Sequence, residues 1–175
     1  EVNPRQIGDE LWSDAFDKDQ LDDRPLYWQR LILSQYLKEL GAESSDLLEF
    51  ELASRGMLGN QFSGGATYRV LVTGFDPFHL DDYIEQGNPS GVVALQHQHK
   101  QIALGAGRAE IRSMIFPRRY KDFDEFLVER VLETFTDKVD MVITVSMGRT
   151  GFDLERFPGR RRSVSTPDNA RQAGG

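Results

Sequence analysis

Two short runs of apolar, mostly β-branched residues constrain this chain more than any other feature. Val70-Leu71-Val72 ends at Thr73-Gly74, and Met141-Val142-Ile143-Thr144-Val145 ends at Ser146. Neither run alternates apolar with polar residues, which is the pattern of a strand buried on both faces in a parallel sheet. Residues 109–116 predict another strand. Between these runs the periodicity turns helical. Asn88 is a good N-cap and Pro89 a good first helical residue, with Val92, Val93 and Leu95 continuing the helix. Phe123, Phe126, Leu127 and Val131 fall on one face of a second helix. The order β-α-β-α-β predicts an α/β fold with a partial doubly wound, mostly parallel sheet. Ligands of such sheets bind beyond the carboxyl ends of the strands. Chemistry is therefore expected in loops 74–87, 117–120 and 147–162.

The N-terminal third is different in kind. Residues 1–66 hold 6 basic and 13 acidic side chains and carry the whole net charge of −7, whereas residues 67–175 hold 15 of each sign. Leu11, Trp12 and Phe16 mark a short helix. Asp22 and Asp23 precede Pro25, a combination that suits a helix N-terminus. Leu33, Leu37 and Leu40 recur at helical spacing, Tyr27, Trp28, Ile32 and Tyr36 widen the apolar surface, and Gly41 supplies a stop. A further helix is expected over residues 45–55, with Leu47, Leu48, Phe50 and Leu52 apolar and Gly56 after it. Gly56, Gly59, Gly64 and Gly65 then give a loop or linker. The expected division is an acidic helical extension and linker over 1–66 and an α/β unit over 67–175, with the extension packed on the sheet.

Composition removes several function classes. The 175 residues include no cysteine, so this chain supplies no disulfide, thiolate metal site or thiol nucleophile. An acidic chain argues against nucleic-acid binding, which needs a positive surface for phosphates. No apolar run approaches the roughly 20 residues that span a bilayer, so no membrane association is expected. Residues 1–10 are polar, unlike a signal peptide, which a mature exported chain would already have lost. Asn88-Pro89-Ser90 is barred from glycosylation by its proline.

Among the residues that could carry chemistry, Phe75 and Phe78 stand in the loop after the first strand. They form either an apolar slot for a small flat group or a cap on the core. Glu155-Arg156 reads as a surface pair or a catalytic acid with its neighbour. Arg160-Arg161-Arg162 reads as a solvated loop or an anion contact. His79 lies near the expected site edge and could act as a base, with no serine placed beside it. His97 and His99 face different sides of a helix, are expected to be exposed and make a poor metal pair. Gly105-Ala106-Gly107 reads as a turn.

Four motifs in order carry a resemblance. Val70-Leu71-Val72-Thr73-Gly74-Phe75-Asp76-Pro77-Phe78 with Asn88-Pro89-Ser90, then Val142-Ile143-Thr144-Val145-Ser146-Met147-Gly148-Arg149, then Leu154-Glu155-Arg156, then Pro167-Asp168-Asn169 resemble the pyroglutamyl peptidase I family over the first half of its catalytic domain. Asp22-Asp23-Arg24-Pro25-Leu26-Tyr27-Trp28 is similar to members with an N-terminal helical extension. The resemblance implies a cysteine peptidase that removes N-terminal pyroglutamyl residues from peptides. Glu155 would be the acid of a Cys-His-Glu triad, orienting the histidine that activates the thiol. Phe75, Phe78 and Met147 would line the pocket for the pyrrolidone ring. Asn88, Ser90, Arg149, Asp168 and Asn169 would be structural residues near it. No cofactor or metal is implied, a homo-oligomer is open, and the compartment is commonly cytoplasmic, with extended members exported.

The departures bear on activity. In the family the triad cysteine and histidine lie beyond the Pro-Asp-Asn turn, and here neither follows before Gly175. Ser165 stands where the family often has arginine, and Ser146-Met147 opens a loop that commonly starts with glycine. A triad acts as a unit, so this chain alone is expected to be inactive. Three explanations are open: part of a longer protein, a second chain that supplies the other half, or a non-catalytic relative that binds a partner on the same fold.

Overall fold

A computed structural model describes residues 2–17, 21–148, 151–157 and 166–173. Three helices lead: α1 (Pro4–Asp17), α2 (Arg24–Glu39) and α3 (Ser44–Ala53). They are followed by β1 (Tyr68–Phe75), α4 (Pro89–His97), β2 (Gln101–Leu104), β3 (Gly107–Phe116), α5 (Tyr120–Asp124), α6 (Leu127–Glu133) and β4 (Met141–Thr144). The sheet order is β2-β3-β1-β4. β1 runs parallel to β3, with Tyr68 opposite Ala109 and Phe75 opposite Phe116, and parallel to β4, with Val70 opposite Met141. β2 is antiparallel to β3 and joined to it through Gly105-Ala106, the turn expected there. The fold is α/β: a helical extension, then a mostly parallel sheet interleaved with helices, as the sequence pattern predicts.

The helices start and stop for local reasons. Asn88 caps α4 by accepting from the Ser90 N–H, and Pro89 occupies the first turn, where no amide partner is lost. Glu43 and Asp46 form a reciprocal capping box on α3. α1 is longer than its three apolar residues suggest. It ends up in one apolar cluster in which Leu11, Trp12, Leu26, Leu37 and Phe50 from the extension meet Ala94, Leu95 and Ile115 from the α/β unit. A second cluster on the other face joins Met57, Leu71, Met114, Phe116, Val131 and Phe135.

Four expectations need correction. Ile32 and Tyr36 do not widen the buried face of α2; they are exposed, while Tyr27 is buried. The second interstrand helix is broken in two. Phe126 takes a left-handed conformation (φ 58°), which ends one helical segment, begins another and swings its ring into solvent at 63% exposure. The strand at Met141 is not buried: it pairs on one side with β1, so Met141, Val142 and Ile143 are exposed. His99 lies past the end of α4, and His97 is half-buried, with Nδ1 2.8 Å from the Val93 carbonyl.

Residues 56–67 read as a linker but are fixed against β3. The Asn60 amide donates to the carbonyls of Gly56 and Ser113, at 3.0 and 2.6 Å. Arg112 donates to Gln61 O (2.7 Å), and the Ser63 N–H and hydroxyl donate to buried Glu110, which also pairs with Arg112. Gly56 has φ +70°, and a Cβ there would meet the Trp12 ring at 2.5 Å. This is a tight crossing that only glycine fills.

Candidate functional site at the carboxyl edge of the sheet

β1 ends at Phe75, and the next residue, Asp76, is a buried charge. The Asp76 carboxylate is sealed between two guanidinium groups, Arg30 of α2 (3.0 Å) and Arg55 just after α3 (2.7 Å), with all three side chains at most 4% exposed. Arg30 also donates to Ser54 Oγ and O, and Arg55 to Ile115 O. Arg55 and Arg119 then share Glu51, each at 2.8 Å, and Arg119 reaches Asp122 at 2.6 Å. Three guanidinium groups face three carboxylates, so the buried cluster is neutral. Burial works against ionised Glu51, but Arg55, Arg30 and Arg119 outweigh it and bring its carboxyl down to about 2.

Asp23 makes the second link between extension and sheet. It occupies the N-cap position of α2 but does not cap it; both carboxylate oxygens accept from the Asn88 N–H, at 3.1 Å each. Burial pushes its carboxyl up to about 7, with Asp76 and Asp22 adding to the rise and the Asn88 N–H opposing it. A carboxyl that titrates near 3.8 when unfolded and near 7 when folded binds more protons in the native state, so stability falls as pH rises from about 4 to 7. Urea titrations across that window should show this decline, and Asp23→Asn should flatten it. An unchanged slope in the variant would assign the decline elsewhere.

The residues expected at the site divide into those the fold brings together and those it does not. Asn88 and Ser90 form one buried junction with the end of β1. Asn88 Oδ1 accepts from Ser90 N (3.1 Å) and Oγ (2.8 Å), Asn88 Nδ2 donates to Asp76 O (2.9 Å), and the Phe75 N–H donates to Ser90 Oγ (3.0 Å). The two phenylalanines part company. Phe75 packs with Phe116 and Phe123 at 6.0 and 6.3 Å between ring centroids, whereas Phe78 lies under the Arg118 guanidinium (4.7 Å) and beside His79 (4.6 Å). Asp168 accepts the N–H groups of Tyr120, Ala170 and Gln172, and Asn169 donates to Pro77 O, tying the Pro-Asp-Asn turn to the loop after β1. Glu155 is exposed and makes no hydrogen bond or ion pair with a described residue; Met147 is likewise exposed. Arg149, Arg160, Arg161, Arg162 and Ser165 lie outside the described residues.

These links frame a crevice of about 180 Å³ at the carboxyl edge. Tyr27 and Trp28 form one wall, His79 and Asp82 another, and Asp168 and Asn169 a third. Sequence reading took Tyr27 and Trp28 only as apolar surface of α2. The signal that could have placed them is Arg30, a cation inside the apolar stripe Leu26, Leu33 and Leu37, which requires a buried carboxylate opposite. Among the described residues no group of three His, Asp or Glu side chains could hold a metal, and no helix is long and apolar enough to cross a membrane.

Comparison with known proteins places this edge in context. A family model described as the C-terminal domain of PA0049 matches residues 69–173, from the start of β1 to the Pro-Asp-Asn turn. The uncharacterized protein PA0049 of Pseudomonas aeruginosa (strain PAO1) is 31% identical over 191 residues, which cover 87% of this chain and 34% of that protein. The chain thus spans about a third of the length of that relative. No solved structure matches.

Proposed function

The chain belongs to the PA0049 C-terminal-domain family, and from that footing we propose that it acts as a non-catalytic binding domain on a pyroglutamyl-peptidase-like fold. The carboxyl-edge crevice is its ligand site. The observation that carries this reading is the crevice itself, where aromatic surface and polar groups without a partner among the described residues converge at the edge of an α/β sheet. Two further observations agree with it. The chain has no thiol, and Glu155, the residue that a triad would need fixed against a histidine, stands in solvent without a described partner.

Incubated with a fluorogenic pyroglutamyl amide, the chain should release no more pyroglutamate than its Glu155→Gln variant. Titrated with small blocked peptides at millimolar concentration, it should change Trp28 emission, and Trp28→Phe should lose that response. Release that depends on Glu155 would overturn the non-catalytic reading. Failure of every peptide to perturb Trp28 would overturn the assignment of the crevice.

A second reading keeps the peptidase activity and places it in a longer polypeptide that supplies cysteine and histidine. The four ordered motifs favour it, together with the Phe75–Ser90–Asn88 junction they build. Its test is the same assay on the longer polypeptide, with Glu155→Gln abolishing release.

A further inference from the structure

The polar groups that line the crevice fall into two classes, those already spent and those not. Asp168 is spent on three backbone N–H groups, and the Asn169 amide is spent on Pro77 O. Asp81 is spent on Arg171, whose guanidinium it holds with both oxygens at 2.8 and 3.0 Å. Unspent are the Asp82 carboxylate, the Trp28 indole N–H and the Tyr27 hydroxyl, none of which bonds a described residue. Tyr27 is 9% exposed. Its hydroxyl is nevertheless not sealed: among the described residues, the sealed side-chain atoms without a partner are Trp12 Nε1 and Thr73 Oγ1. The Tyr27 hydroxyl, without a partner among the described residues and not sealed, is open to water or to a ligand that enters the crevice.

We propose that this crevice binds a cationic end group, an ammonium or guanidinium carried by a peptide, between the aromatic wall of Tyr27 and Trp28 and the carboxylate of Asp82. The inference rests on the reading of the carboxyl edge as a binding surface and adds the class of ligand. Three carboxylates line the crevice: Asp81, Asp82 and Asp168. Asp168 stays ionised there: burial opposes the charge, but the N–H groups of Tyr120, Gln172 and Ala170 hold its carboxyl below the usual range. The cations described beside them are two, Arg171 on Asp81 and Arg118 near Asp168. Among the described residues the excess is negative, which disfavours an anion and favours a cation. Aromatic faces add attraction for a cation and little for an anion. The rim already accepts one guanidinium, that of Arg171. A neutral lactam would cover the Asp82 carboxylate without compensating it. A volume of about 180 Å³ admits one side-chain-sized group and excludes a nucleotide or a folded segment.

The two tryptophans provide the readout. Trp12 is buried in the core and Trp28 lines the crevice, so their indole N–H resonances report separately. The chain is titrated with Nα-acetyl-lysine methylamide, Nα-acetyl-arginine methylamide, glycinamide and neutral 2-pyrrolidone. The three cations should move the Trp28 resonance and leave that of Trp12 in place, and 2-pyrrolidone should not. Asp82→Asn should weaken cation binding about fivefold, the scale of an exposed charge contact. Asp137→Asn, an equal change of charge beyond the other end of the sheet, should leave it unchanged. Response to the blocked side chains alone, or to glycinamide alone, identifies the source of the cation. Binding of 2-pyrrolidone in preference to the cations, or equal weakening by both variants, would overturn the cationic assignment and leave the crevice a binding site. Silence of Trp28 toward all four probes would overturn both.

Discussion

Asp76→Asn should destabilise the folded chain by about 3–5 kcal/mol, the cost of leaving a buried charge without its partner. The native carboxylate divides its two oxygens between Arg30 and Arg55, and neither cation can turn to water, because both side chains are at most 3% exposed. Asparagine keeps the size and one acceptor but removes the charge, which leaves a buried cluster of three guanidinium groups with two carboxylates. Arg30→Met alone should cost less, since Asp76 keeps Arg55 and Glu51 keeps Arg55 and Arg119. In the Asp76→Asn background, Arg30→Met should recover part of the loss, because it removes the cation left without a partner. Urea unfolding of the four proteins in this cycle gives the coupling directly. A loss below about 1 kcal/mol for Asp76→Asn would mean that water reaches the cluster and solvates it.

The same cycle bears on function, because the cluster joins α2 to the end of β1. Trp28 and Tyr27 sit on the first turns of α2, ahead of Arg30, while His79 and Asp82 follow Asp76 in the loop. Arg30–Asp76 and Asp23–Asn88 are therefore two of the links that hold opposite walls of the crevice together. The match to the PA0049 C-terminal domain begins at residue 69, so one wall of the crevice comes from outside the matched segment. A ligand site assembled this way depends on the extension for its shape as well as for its stability.

How much of this was legible in the sequence depends on the range of the interaction. Local signals read through. Asn88-Pro89 fixed the start of α4, Gly105-Ala106 gave the turn, and the β-branched run at Val70 gave the central strand, since each acts within a few residues. β2 escaped because four residues at a sheet edge, Gln101-Ile102-Ala103-Leu104, have too little pattern to distinguish from a loop. The run at Met141 has the composition of a buried strand, but composition does not say which neighbours arrive. With β1 on one side alone, its apolar residues remain open to solvent. The contacts that build the crevice span 46 residues for Arg30–Asp76 and 65 for Asp23–Asn88, and nothing in either local pattern points to the partner. Asp22 and Asp23 before Pro25 announced the start of a helix, the short-range use of an aspartate, and said nothing of the Asn88 N–H that Asp23 accepts. Phe75 and Phe78 looked like a pair because both were expected in the loop after the first strand, yet Phe75 belongs to β1 and each ring goes to a different cluster.

Gly74→Ala should cost about 2–3 kcal/mol, at the upper end of what overpacking a core costs. The reason is backbone against backbone. A Cβ on Gly74 would lie 2.2 Å from the Ser90 carbonyl oxygen and 2.9 Å from the Gly91 nitrogen, distances that no side-chain rotation relieves. The opposing Gly91 is as crowded, with a Cβ placed 2.7 Å from Asp23 Oδ2 and 2.9 Å from Phe75 O. β1 and the first turn of α4 therefore cross at a distance that only paired glycines permit, and the crossing sets the Phe75 N–H against Ser90 Oγ and Asn88 beneath Asp76 O. A methyl group at Gly74 forces α4 outward and pulls Asn88 from the Asp23 carboxylate, so the loss should extend beyond stability to the crevice. Thermal unfolding measures the first effect, and the Trp28 indole resonance of the folded variant measures the second. Gly59→Ala provides the contrast: it also strains the backbone, with φ +68°, but a Cβ there meets nothing nearer than the Arg5 side chain at 3.9 Å. It should lower stability without moving Trp28. If Gly74→Ala also leaves Trp28 in place, the β1–α4 crossing does not govern the position of the crevice wall.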